Sequence, residues 1–185
     1  MSHQYTATAK TLHWLMAALL VGLLALGLYM TNLPFSPEKL KLYSWHKWAG
    51  VTVFLLLLFR LLWRIKNPPP PLPESMPKAL QLVAHAGHFG LYALMFAIPL
   101  SGWLMSSAKG FQTVYFGVLP IPDLIEKNKE LGHLLAEVHE TLSWLFIILL
   151  VGHIAAALKH HFIDKDDILI RMLPDHGHRS TEQAS

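Results

Sequence analysis

The chain has no cysteine among its 185 residues. That excludes disulfides, thiolate metal ligands, cysteine-held iron–sulfur clusters and haem attached through C-x-x-C-H. Charge is the second shortage. Asp, Glu, Lys and Arg together make 15% of the chain, against about 25% in ordinary soluble domains. The net charge of +3 fits basic flanks around apolar segments and gives no basic stripe for nucleic acid, so no nucleic-acid partner is expected. The first apolar segment lacks a small-residue cleavage site, so no signal peptide is expected.

What the chain has in place of charge is long apolar runs, within an apolar share of 53%. Residues 12–31, 45–65, 80–106 and 137–159 each reach the roughly 20 residues that cross a bilayer as a helix. The expected fold is an all-α integral membrane four-helix bundle, one transmembrane domain over residues 1–174, followed by a disordered tail over 175–185. Lipid is therefore its first partner. Thr31 to Tyr43 reads as a short loop. Asn67 to Pro77, NPPPPLPESMP, cannot be helical, because proline lacks the N–H and clashes with the preceding turn. Pro99 is expected to kink the third span. Ala108 to Ala136 is the longest loop and is expected to lie over one end of the bundle. The stretch HHFIDKDDILIRMLP reads as a short amphipathic interfacial segment.

Four spans put both termini on one side. Nine Lys and Arg residues fall on that side and six on the other, so the positive-inside rule makes the termini cytoplasmic.

Twelve histidines are the anomaly in so apolar a chain. Ionisable residues kept within membrane spans tend to face the interior and serve a function. His139 and His153 lie fourteen residues apart on the fourth span, about 21 Å along a helix axis and about 40° short of four full turns. Both rings then point the same way at opposite depths. With alternating spans, His46 shares the outer level with His139, and His13 shares the inner level with His153. Each pair comes from two helices facing one bundle core, where such bundles build cofactor sites.

Facing imidazoles can ligate haem iron axially, which suggests two haems stacked across the bilayer. Gly22, Gly27, Gly50 and Gly152 would admit close approach of a helix or a porphyrin. Lys47 or Arg64 could meet the propionates. His85 and His88 also sit at the inner level, and either could replace His13. Their H-x-x-H spacing puts both on one helix face, as zinc would require, but no carboxylate or thiol completes the set. A quinone suits them better: His88, with His85 and His160 as further candidates, could hydrogen-bond a quinone carbonyl and pass a proton near neutral pH. A non-redox proton or metal transporter built on these histidines is the alternative of another class.

The same residues resemble a known family. HWL at His13, the R-x-x-W-R run from Arg60 to Arg64 followed by prolines, H-A-G-H from His85 to His88, and the His139/His153 pair closing in AALKHHFIDKDDILIRMLP are similar to the bacterial cytochrome b561 family. The likeness runs to about Pro174 and is weakest in the loop from Ala108 to Ala136. It implies a four-helix cytochrome of the bacterial inner membrane with two b haems, ligated at the positions matching His13, His46, His139 and His153. One member type takes electrons from superoxide at the periplasmic face and reduces ubiquinone. Others are cytochrome b subunits that accept electrons from a periplasmic redox protein. For superoxide, an anion, Lys39, Lys41, Lys47 and Lys109 could steer arrival.

Overall fold

The computed structural model describes residues 4–73 and 76–174; the expected tail over 175–185 lies outside them. Four long helices dominate: α1 Ala7–Thr31, α2 Pro37–Lys66, α3 Lys78–Ala108 and α4 Lys129–Lys159. All four are long and apolar enough to cross a membrane.

Local signals set where three of them begin. Thr6 caps α1, its Oγ1 accepting from Ala9 N at 3.3 Å. Ser36 caps α2 ahead of Pro37, whose fixed φ suits the first turn. Asn128 caps α4, accepting from Leu131 N at 3.0 Å, and Glu130 follows in the first turn. These caps explain two differences from the sequence reading. The loop expected over Thr31 to Tyr43 ends at Ser36, and the loop expected over Ala108 to Ala136 ends at Asn128. Helix continues past the apolar run because polar caps, and not hydrophobicity, start it. α3 has no side-chain cap and runs unbroken through Pro99.

The shortened loop carries a two-stranded antiparallel ribbon, β1 Val114–Tyr115 and β2 Leu119–Pro120, with Val114 opposite Pro120. Its turn holds Phe116 and Gly117 at φ +50° and +72°. Glycine accepts that region freely, whereas phenylalanine is rare there. The Phe116 ring lies 5.4 Å from that of Trp48. The ribbon is fastened to α2: Trp48 donates its indole N–H to Val114 O at 2.7 Å, Lys47 donates to Phe111 O at 2.8 Å, and Thr52 Oγ1 lies 2.8 Å from Tyr115 Oη. It therefore covers the start of α2, as expected of this loop. We call this the hairpin end.

The opposite, terminal end is stitched by long-range bonds, three of them from side chains. Trp14 donates to Met172 O at 2.9 Å, Arg171 to Pro71 O at 2.7 Å, and Trp63 to Thr6 Oγ1 at 3.0 Å. After α4 come a π-helical turn, His160–Asp164, and a 3-10 turn, Ile170–Met172.

Packing is uneven. α3 lies most extensively on α4 and α1 on α2, while α4 makes little backbone contact with α1 or α2. Met16, Val53 and Leu57 form a small, fully buried apolar cluster. Between 6% and 17% of each apolar window is buried inside the protein. Side chains such as Val21, Leu62, Ile148 and Val151 stand exposed, as lipid-facing positions do.

Candidate functional site

The gap between α4 and the α1–α2 pair is where the histidines meet. At the hairpin end, His46 on α2 and His139 on α4 have ring centres 6.3 Å apart. At the terminal end, His13 on α1 and His153 on α4 are also 6.3 Å apart. A metal bound between two imidazoles, with metal–nitrogen distances of about 2 Å and roughly 1.2 Å more to each ring centre, needs a separation of about 6.4 Å. Both pairs have that separation without rearrangement.

The hairpin-end pair is shaped by α3. His139 Nδ1 lies 3.0 Å from Ile98 O and 3.0 Å from Ser101 Oγ, and Ser101 Oγ donates to Ile98 O at 2.8 Å. A carbonyl only accepts, so the ring proton sits on Nδ1 and the Nε2 lone pair is free for a metal. Gly102 holds the ring close: a Cβ there would lie 3.1 Å from His139 Cε1. Gly27 does the same for His46, at 3.4 Å from Cε1. His46 Nδ1 is buried with no hydrogen-bond partner, an orphaned polar atom that calls for explanation.

The terminal-end pair has a different setting. His88 brings its ring centre to 5.4 Å from that of His153, so three histidines cluster here. Arg60 Nη2 lies 3.1 Å from His13 Nδ1, and Arg60 Nε donates to Tyr92 Oη at 2.9 Å. Arg60 and Arg64 both stand over the Tyr92 ring, at 5.9 and 5.7 Å. Tyr5 lines the same pocket; burial pushes its phenol up from the ordinary range, with Arg64 pulling the other way. A Cβ at Gly50, Gly87 or Gly152 would meet nothing within 4 Å. The surface beside His46, His88 and His153 is thus left open, and Gly50 and Gly152 do not mark close helix contacts.

The remaining candidates separate. His85 is exposed, and among the described residues no carboxylate completes a zinc set with it and His88. His160 Nδ1 is 2.6 Å from Asp166 and 3.1 Å from Asp164 on the π-helical turn. Those three are the group among the described residues that could offer ligand atoms to one ion, although Lys159 already pairs with Asp164 at 2.7 Å. Lys39 donates to Leu33 O and Lys47 to Phe111 O, so both charges are anchored at the hairpin end. Sequence reasoning missed Tyr92, Ser101 and Gly102 and left Arg60 as a mere flank charge. An arginine one helical turn inside a span exit was the available signal for Arg60; Ser101 and Gly102 had none.

Four membrane-length helices bring histidines face to face at two depths. The chain belongs to the prokaryotic cytochrome b561 family, whose model matches residues 4–175. It is 40% identical over 178 residues to cytochrome b561 homolog 2 of Escherichia coli (strain K12), covering 92% of this chain and 91% of that one. It is 32% identical over 131 residues to cytochrome b561 homolog 1 of the same organism, covering 70% and 73%. It is 29% identical over 179 residues to the probable superoxide oxidase CybB of Yersinia pestis, covering 94% and 98%. Membership makes this a bacterial membrane electron-transfer protein and implies haem b. The facing rings, the free Nε2 of His139 and the orphaned Nδ1 of His46 fit that group. The alternative of a non-redox transporter gives way to it.

Proposed function

We propose that the chain carries two haems b, one ligated by His46 and His139 and one by His13 and His153, and passes electrons from superoxide at the hairpin end to ubiquinone at the terminal end. The observation that carries this is the equal 6.3 Å separation of the two ring pairs. The 5.4 Å between His88 and His153 is too short for a metal between them, which favours His13 as the partner of His153. The termini are cytoplasmic in this reading and the hairpin faces the periplasm.

When bound, haem supplies the one-electron chemistry. The chain does the rest. α4 offers one histidine to each level, and Ser101 and Ile98 hold the His139 tautomer. Lys39, Lys41, Lys47 and Lys109 raise the positive potential at the hairpin end, where an anion arrives. Arg64 at the terminal end and Lys47 at the hairpin end are the cations placed to meet propionates. Two superoxide anions each give up one electron and leave as dioxygen. The quinone takes two electrons and two protons and leaves as quinol. His88, beside His153, is the foremost candidate to hydrogen-bond the quinone and hand on a proton, with His85 and His160 as further candidates.

Haem-to-protein stoichiometry tests this. Two haems are expected in the wild type and one in each of His13→Ala, His46→Ala, His139→Ala and His153→Ala. A single haem in the wild type sinks the assignment. A second reading is an electron-transfer subunit served by a periplasmic redox protein that docks on the loop between α3 and α4, where Phe116 and Val118 are exposed. Superoxide consumption by the purified chain no faster than spontaneous dismutation would decide for it.

A further inference from the structure

The two levels differ in what touches the outer edge of a histidine. At the hairpin end the Nδ1–H of His139 points at neutral oxygens, those of Ile98 and Ser101, each at 3.0 Å. Ser101 is buried, at 6% exposure, so water does not compete for this contact. An N–H pulled toward oxygen makes the ring a stronger electron donor and favours the oxidised iron of any haem it holds. At the terminal end the neighbour of His13 is a guanidinium, with five donors and no acceptor, at 3.1 Å. A fixed positive charge beside the ligand favours the reduced state, which carries one positive charge fewer.

Arg60 is not free to leave for the membrane surface. Tyr92 holds its Nε at 2.9 Å, with the guanidinium carbon 5.9 Å from the ring centre. Ligation through His13 Nε2 places the ring proton on Nδ1, and the fork of Arg60 must then give up its N–H contact. Tyr92 still keeps the charge beside the ring, so the electrostatic effect outlasts that hydrogen bond.

We propose that Arg60 and Ser101 are positioning residues that set the two haem sites at different potentials, so that an electron arriving at the hairpin end runs downhill to the terminal end. This rests on the ligand assignment above, and it assigns the direction of transfer to two residues that ligate nothing.

Redox titration of the full-length, haem-loaded protein, followed by absorbance, tests it. In wild type the terminal-end haem is expected to have the higher midpoint; His139→Ala leaves that haem alone, so its value is read without overlap. Arg60→Gln is expected to shift its one-electron equilibrium about tenfold toward oxidised, about 59 mV, and to leave the other haem unmoved. Arg60→Lys keeps the charge and is expected to shift it less than half as far on that logarithmic scale. Ser101→Ala is expected to move only the hairpin-end haem, about threefold toward reduced. Should Arg60→Gln lose a haem, Arg60→Lys and Tyr92→Phe carry the test, Tyr92→Phe giving a smaller fall at the terminal end alone. Unmoved midpoints, or equal shifts at both haems, in variants that keep two haems overturn the proposal. So does haem loss in Arg60→Lys or Tyr92→Phe with no change in the midpoint of what remains, which makes Arg60 structural. A wild type with one haem fails the ligand assignment instead.

Discussion

His88 and His153 bring their ring centres to 5.4 Å, nearly an ångström closer than His13 and His153 at 6.3 Å. One ring of the three at the terminal end is therefore in direct contact with another, and one stands off at the spacing of a bridged pair. His88→Ala is accordingly expected to keep two haems, whereas His13→Ala keeps one. Quinone reduction by His88→Ala is expected to fall at least tenfold, since general acid–base contributions run to about 10²-fold or more. Loss of a haem in His88→Ala with both retained in His13→Ala would exchange their roles.

Gly102 is the tightest glycine against a ring, with a Cβ contact of 3.1 Å to His139. Gly102→Ala is expected to displace that ring and to cost about 1–3 kcal/mol, as overpacking does. Gly50→Ala, whose Cβ meets no protein atom within 4 Å, is expected to leave the melting temperature of the haem-free protein unchanged. Equal melting of the two haem-free variants would contradict this contrast.

The ribbon over the hairpin end hangs on few bonds. Tyr115→Phe removes the 2.8 Å contact with Thr52 and is expected to cost about 1 kcal/mol. Limited proteolysis should then cut residues 109–128 faster while haem content stays at the wild-type level. An unchanged cleavage rate would mean that the remaining bonds, those of Trp48, Lys47 and Trp103 among them, suffice to hold the ribbon.

Replacing Lys39, Lys41 and Lys47 together by glutamine tests the steering of superoxide. Electrostatic attraction of an anion is screened by salt over about 10 Å at 0.1 M. The variant is expected to oxidise superoxide severalfold more slowly at low ionic strength and to show a flatter salt dependence. A salt dependence equal to wild type would remove these lysines from the route of entry.

The sequence made the spans readable because their signal is additive: twenty apolar residues in a row outweigh any local exception. Depth was readable too, since a fixed rise per residue turns the interval from His139 to His153 into a distance. Caps were less visible. Asn128 and Ser36 lie in polar stretches that read as loop, and only the bond each makes with a residue three positions on shows where helix begins. Beyond the two facing histidine pairs, contacts between helices were not readable. Ser101 reaches His139 across 38 positions and Arg60 reaches His13 across 47, and no periodicity links such pairs. They depend on the rotation of each helix about its axis, which a run of leucines leaves unspecified.

The stitching of the terminal end has a consequence for how the molecule is made. Trp14 is bonded to Met172 and Arg171 to Pro71, so helices completed early in synthesis are fastened by nearly the last of the described residues. A ribosome that has delivered α1, α2 and α3 has delivered neither His139 nor His153, and its product cannot close. Assembly at this end is therefore a late event, timed by translation. A chain stalled or clipped before residue 171 should enter the membrane with all four helices and still leave its seam undone.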